Sequence, residues 1–388
     1  MGTNSSNTAS SGGMHIDLDK YVLTGGDTIE GTINIRLSLP LPPSNLYFQF
    51  KGKEETHWQI TESSHPGAAI IEHDGSSTIC KVQYEIMKWT ESLQPGDYTI
   101  PFTFQTPVGI PGSFKFIDGK TRGEIQYFLS CKLINSHQKF KTKTKISILQ
   151  DCTLIIPQIN RGKKARLRSC CCSKGQLGLK IIWSTPRFKT TDKIDCLLEI
   201  DNTHSMLPVT KVSARLYYNL RLKDINKSSK FVTNTISTKV YTFILNPKEI
   251  MVKEDALPIS LELTGLDRKF SMLYSSKGQI IECMFMIEVA AYVEYGCFGG
   301  GEIKVDSPFV VEPVVFFQPA PMIPPADWNP IMIEPANLIY EKKHEVDTDS
   351  EGISIRSKNE FNNTSVTVIQ SQNTEPADNF IVVASERS

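Results

Sequence analysis

Net charge is the first thing this sequence lacks. Its 388 residues carry 42 Lys+Arg against 42 Asp+Glu. A dedicated nucleic-acid binder needs a basic surplus to displace counterions, so that class is excluded, although local basic patches survive the averaging. Long apolar runs are missing too. No stretch reaches the roughly 18 residues that cross a bilayer as a helix. The first thirteen residues are polar, without the basic and apolar regions of a secretory signal, which leads to the expectation of a reducing, cytoplasmic setting. The nine cysteines form no C-x-x-C pair, so a zinc framework is not expected. No H-E-x-x-H, G-x-S-x-G or phosphate-loop pattern occurs, and no catalytic, cofactor-binding or metal residue is assigned. Helical periodicity over ten or more residues is absent as well.

What the sequence has in quantity is alternation with period two. Ile33, Ile35 and Leu37 alternate with Asn34 and Arg36. Leu46, Phe48 and Phe50 follow, then Cys80, Val82, Tyr84 and Ile86, then Tyr98, Ile100, Phe102 and Phe104. The second half repeats the style in Leu179, Ile181 and Trp183, in Val212 to Leu222, and in Ile281 to Val293. Each run places apolar groups on one face of a strand. Turn formers such as Gly25-Gly26-Asp27 and Pro95-Gly96-Asp97 separate them. Many strands without intervening helices predict an all-β chain of two tandem antiparallel β-sandwiches. Pro101 inside a run predicts an edge position or a bulge.

The expected organisation is a flexible N-terminus over 1–13, a first sandwich over 14–150, a connection over 151–178, a second sandwich over 179–315, and a proline-rich then polar tail over 316–388. The connection is basic, with Arg161, Lys163, Lys164, Arg166 and Arg168 ahead of Cys170, Cys171 and Cys172.

Several motifs, taken in order, resemble the arrestin family, and within it the α-arrestins or arrestin-domain-containing proteins. Gly96-Asp97-Tyr98-Thr99-Ile100-Pro101-Phe102-Thr103-Phe104 resembles the family's Pro-Phe-x-Phe strand, and Ile110-Pro111-Gly112-Ser113-Phe114 the loop after it. Gly123-Glu124-Ile125-Gln126-Tyr127 is similar to the next strand, Gly26 to Gly31 to an early turn, and Phe50-Lys51-Gly52-Lys53 to the strand leading to Trp58. The cysteine cluster with Gly175-Gln176-Leu177-Gly178-Leu179 resembles the segment that opens the second domain, Gln176 standing where the family has Pro. The resemblance spans about residues 14–313. It implies a non-catalytic adaptor that binds cytosolic tails of membrane proteins, phosphorylated or not, and trafficking machinery, with peripheral membrane contact. Two alternatives stay open: a coat or scaffold subunit similar to the arrestin-like component of retromer, and a β-sandwich small-molecule binder. The Pro-Pro-x-Tyr motif through which many α-arrestins dock ubiquitin ligases is absent from Pro324-Pro325-Ala326-Asp327-Trp328.

Three features are candidates for binding. Lys139, Lys141, Lys143 and Lys145 share one strand face, a row suited to phosphates or acidic lipid heads, or else a solvated face guarding a sheet edge. Met1-Gly2-Thr3-Asn4-Ser5-Ser6 fits the myristoylation pattern at Gly2, and Cys170, Cys171 and Cys172 beside the basic connection offer a second lipidation signal. The apolar Phe380-Ile381-Val382-Val383 is a candidate for strand addition to the first sandwich.

Overall fold

The structure, a computed structural model, describes residues 12–61, 69–151, 160–169, 172–263, 273–294, 300–312 and 325–339. Within them the only helix is a single 3-10 turn, Lys253–Asp255. The first half holds β1 (Gly12–Leu18), β2 (Val22–Thr24), β3 (Thr28–Leu37), β4 (Ser44–Thr61), β5 (Ile70–Trp89), β6 (Gly96–Gln105), β7 (Phe114–Asp118), β8 (Thr121–Ile134) and β9 (Lys139–Leu149). The second holds β10 (Arg161–Ser169), β11 (Cys172–Trp183), β12 (Arg187–Lys189), β13 (Lys193–Ser205), β14 (Val209–Lys223), β15 (Ser229–Leu245), β16 (Ile250–Met251), β17 (Leu257–Glu262), β18 (Ser276–Lys277), β19 (Ile281–Glu294) and β20 (Gly300–Glu312). Two short strands follow, β21 (Ile331–Met332) and β22 (Ala336–Leu338).

Four sheets result. The first sandwich faces β1-β3-β6 against β2-β9-β8-β4-β5, and the second faces β10-β11-β13-β16 against β12-β20-β19-β14-β15. The alternating apolar residues point inward, where Phe48 meets Phe102 at 5.1 Å and Phe50 meets Phe104 at 5.1 Å between ring centroids. In the second core Trp183 packs on Phe188 and Phe309, both at 5.7 Å, and donates its indole N–H to Ser307 Oγ at 2.8 Å. Such tilted aromatic pairs contribute about 0.5–1.5 kcal/mol each beyond the area they bury. Cys80, Cys131, Cys196 and Cys283 are buried in these strands as small apolar groups. Burial pushes the Cys80 and Cys196 thiols up to about 12, which leaves them inert as nucleophiles.

Two stretches differ from the expected organisation. The basic stretch 161–178 is strand, not open connection. Lys163 pairs with Leu179 and Arg166 with Gln176, so β10 becomes an edge of the second sandwich. Alternation is hidden there because β10 is exposed on both sides except at Leu167. The tail also returns to the first sandwich. β21 and β22 add parallel to β6, Ile331 beside Tyr98 and Ala336 beside Phe102. The pairing breaks opposite Ile100 and Pro101, where proline offers no N–H, and resumes after Pro335. Pro101 thus lies on a strand that is an edge until the tail covers it. Arg36 anchors the returning segment: it bonds both carboxylate oxygens of Asp97 (2.6 and 2.8 Å), reaches Asp327 at 3.1 Å, and stacks on Trp328. The Arg36 hydrogen bonds hold the Asp97 carboxyl below its ordinary value. Phe380 to Val383 lie outside the described residues.

The two sandwiches meet through buried polar groups. Glu54, fully buried on β4, accepts the backbone N–H groups of Gln279 (2.8 Å), Ile280 (2.8 Å) and Ile281 (3.1 Å) from the other domain. A Cβ on Gly278 would stand 2.3 Å from Glu54 Oε1, so only glycine lets the chain come this close. Thr56 donates to the Lys223 carbonyl at 2.7 Å, Ser276 to the Gly112 carbonyl at 2.9 Å, and the Lys277 N–H to Gln150 Oε1 at 2.9 Å. His73 bonds Asp224 at 2.8 Å across the same seam while its ring stacks on Trp58. Burial would lift the Asp224 carboxyl, but the His73 bond and the Ser228 and Asn226 N–H groups hold it below its ordinary value. Its contribution is therefore present above the ordinary carboxylate range and lost as pH falls below it.

Glu54→Ala should orphan three buried donors and destabilise the chain by about 3 kcal/mol or more, read as a lowered midpoint in chemical denaturation. An unchanged midpoint would show the junction to be incidental. Asp97→Asn should speed amide exchange over 331–338 while β3 stays protected.

Candidate functional site: a basic face on the first sandwich

The lysine row of β9 is where alternation placed it, on an outer sheet face. Lys139, Lys141, Lys143 and Lys145 are exposed, and Phe140, Ile146 and Ile148 on the opposite side are buried. Registration then adds what one strand cannot show. Lys141 pairs with Lys132 on β8, and Lys132 with Tyr47 on β4. Lys145 pairs with Phe128, Phe128 with Lys51, and Lys51 with Lys81 on β5. Paired residues share a face, so four strands contribute to one basic surface. Lys143 lies over the Phe128 ring, its Nζ 3.3 Å from the centroid.

Little on this surface neutralises it. Lys53 bonds Glu55 at 2.8 Å and Lys145 approaches Glu124 at 3.5 Å. Lys51, Lys81, Lys132, Lys139, Lys141 and Lys143 have no ion pair among the described residues. Burial, then the charges of Lys139, Lys141 and Lys81, push Lys132 below its ordinary value. Burial, then Lys53, Lys141 and Lys51, do the same to Lys143. These groups repel one another, and an arriving anion would relieve that repulsion.

The corresponding outer face of the second sandwich carries more ion pairs. Arg215 bonds Glu288 at 3.2 Å, Arg221 bonds Glu282 at 2.5 Å, Lys304 bonds Glu302 at 2.8 Å, and the Tyr217 hydroxyl reaches Asp306 at 3.1 Å. Lys211 on the same face has no ion pair among the described residues and lies over the Tyr292 ring, its Nζ 4.1 Å from the centroid.

Other candidates have less to offer. A cleft of about 270 Å³ is lined by His15, Asp17, Asn34, Arg36 and Trp328. Its polar groups are committed: Asp17 takes His15 at 2.9 Å and Asn34 at 2.7 Å, and Arg36 holds the tail. Among the described residues no group of three or more His, Cys, Asp or Glu stands ready to hold a metal, and no helix is long and apolar enough to cross a membrane. Of the lipidation candidates, Cys172 is exposed at the base of the β10–β11 turn, while Gly2, Cys170 and Cys171 lie outside the described residues. Lys51, Lys81 and Lys132 escaped the sequence reading because cross-strand neighbours depend on register.

Two end-to-end antiparallel sandwiches joined by a buried polar seam and carrying a basic outer face define a binding scaffold. Residues 13–160, the first sandwich, match the family model for the arrestin (or S-antigen) N-terminal domain. Arrestin domain-containing protein A of Dictyostelium discoideum is 24% identical over 240 residues, 58% of this chain and 40% of that protein. The chain therefore spans well under half the length of this curated relative. The first sandwich thus resembles an arrestin N-terminal domain, and the chain is similar to an arrestin-domain-containing protein.

Relieving repulsion on this surface should not harm the fold. Lys143→Gln should leave the thermal midpoint unchanged or raise it by about 1 °C. A fall of several degrees would make Lys143 a structural residue.

Proposed function

We propose that the protein is an arrestin-like adaptor whose N-terminal sandwich captures phosphorylated or acidic cytosolic segments of membrane proteins in trafficking or signalling. Similarity of the first sandwich to the arrestin N-terminal domain, and of the chain to an arrestin-domain-containing protein, supports an adaptor role in general. The observation that supports this particular role is the uncompensated lysine surface of β4, β5, β8 and β9. Lysine ammonium groups about 5–7 Å apart suit the spread oxygens of several phosphates, each charge-assisted bond being roughly twice as strong as a neutral one. The fit is to an extended chain with several charges rather than to one small ion, because the surface is flat.

The same reading places the protein in the cytoplasm, with peripheral attachment to a membrane. Arg161, Lys163, Lys164, Arg166 and Arg168 are exposed on β10, beside Cys172. Basic residues near an anionic leaflet contribute about 1 kcal/mol each, and one myristoyl chain at Gly2 needs such a second signal to hold.

A ten-residue peptide carrying three phosphoserines provides the test. At 50 mM salt, replacing Lys141, Lys143 and Lys145 by Gln should weaken its binding by ten-fold or more, with the difference shrinking at 1 M salt, where the Debye length is about 3 Å. Equal binding by wild type and variant at low salt would remove the surface from cargo recognition. For attachment, Gly2→Ala and a triple Cys170, Cys171 and Cys172→Ser variant should each move the protein out of the membrane fraction of cells. A wild type already wholly in the soluble fraction would end that part of the proposal.

A further inference from the structure

The second sandwich has one long sheet edge without a guard. Edge strands are kept from pairing with other chains by charged side chains along them. β5, an edge of the first sandwich, carries Glu72, Asp74, Lys81 and Glu85, and β10 carries its row of arginines and lysines. β15 is an edge of the second sandwich and pairs with β14 alone. From Ser229 to Ile244 it has no other backbone–backbone hydrogen bond among the described residues. Its two charges are turned to their own chain: Lys230 donates to Thr121 Oγ1 at 2.9 Å and Lys239 to the Ser260 carbonyl at 3.4 Å. What it shows to solvent is apolar, with Phe231 70% exposed, Val240 54% and Ile244 72%.

A bulge makes this edge self-complementary. Leu216 pairs with Ser237 and Tyr217 with Thr235, so Ile236 is an extra residue in the middle of β15. It shifts the alternation by one. Before it the even-numbered Val232 packs on the core; after it the odd-numbered Tyr241 and Phe243 do. Phe231, Thr233 and Thr235 therefore face outward together with Val240, Thr242 and Ile244. Without the bulge the two sets would stand on opposite faces. In an antiparallel pair of identical strands centred on the bulge, Phe231 stands opposite the partner's Ile244, Thr233 opposite the partner's Thr242, and Thr235 opposite the partner's Val240. All lie on one face, apolar and threonine cross-strand pairs stabilise a sheet, and no like charges meet. A two-fold axis makes each contact twice. About five residue pairs on each side of the bulge give about ten backbone hydrogen bonds, as many as a typical protein interface carries. An unrelated extended peptide meets the same backbone, but a second copy repeats the matched row on both sides of the bulge.

We infer that the protein self-associates through β15, two copies pairing their edges antiparallel about a two-fold axis at the Ile236 bulge. The larger sheets of the two second sandwiches then join into one continuous sheet. β15 begins beside the seam, where Asp224 meets His73, and runs away from it. Antiparallel pairing therefore sets the two first sandwiches, each with its lysine surface, at opposite ends of the dimer.

Sedimentation of the full chain tests this. Wild type should form a dimer with a dissociation constant of about 10 µM or tighter. Phe231→Lys with Ile244→Lys places like charges directly opposite one another across the paired edges. It should weaken self-association by about a hundred-fold or more. The thermal midpoint should stay unchanged, because both side chains are exposed. A second arm reads the register. Chains carrying Phe231→Cys are mixed with chains carrying Ile244→Cys and oxidised, and mass spectrometry locates the links. Opposed residues of an antiparallel ladder have Cα atoms about 4.5–5.5 Å apart, within disulfide reach, so a link between positions 231 and 244 should dominate. A wild type still monomeric at about 100 µM would overturn the inference. So would a dimer of unchanged affinity in the double lysine variant, or links confined to like positions or to Cys172. If the lysine variant loses its fold, the cross-link decides alone, its presence upholding the pairing and its absence ending it.

Discussion

A single buried carboxylate governs how the two sandwiches sit. Glu54 is surrounded by the other domain's backbone and holds three consecutive N–H groups of the segment entering β19. A buried charge is tolerable only when fully hydrogen-bonded, so the segment cannot shift without stranding either the carboxylate or its donors. Gly278 at the closest approach, Thr56 on the Lys223 carbonyl and His73 on Asp224 extend the same seam. An apolar interface would slide at small cost. Directional bonds of this kind define one relative position and make its loss cooperative.

That fixed frame gives meaning to the contrast between the outer faces. Both domains present a broad antiparallel sheet to solvent, and both carry charge there. On the second sandwich Arg215 and Arg221 on β14 each find a glutamate on β19. On the first, lysine faces lysine across β8 and β9 and across β4 and β5. Like charges directly opposite destabilise a sheet. A surface that keeps them is costlier to fold than a paired one and better prepared for an anion.

The tail joins these parts. By adding parallel to β6 it covers a sheet edge that would otherwise offer open backbone groups to any extended chain. Its break at Pro101 shows how one residue without an N–H divides an added strand in two. Arg36 links the strand core, through Asp97, to the tail, through Asp327 and Trp328. Occupancy of the edge is therefore a consequence of one anchoring point.

Much of this was legible residue by residue. Period two placed Phe48, Phe50, Phe102 and Phe104 inward and the β9 lysines outward, because side-chain alternation is a local property of an extended chain. Glu54 shares the inward parity of Phe50 and Trp58 but was not singled out in the sequence, because Lys53-Glu54-Glu55 looks like ordinary surface. β10 and the tail strands were not legible: an edge strand exposed on both sides shows no alternation, and two- or three-residue strands are too short to show any. Sequence alone determined most of the strands, their inner faces, the all-β class and the lysine row. Tertiary structure decided which lysines share the surface, which donors Glu54 meets and which edge the tail covers, because register and domain contact join residues far apart in the chain, and no local pattern records that choice.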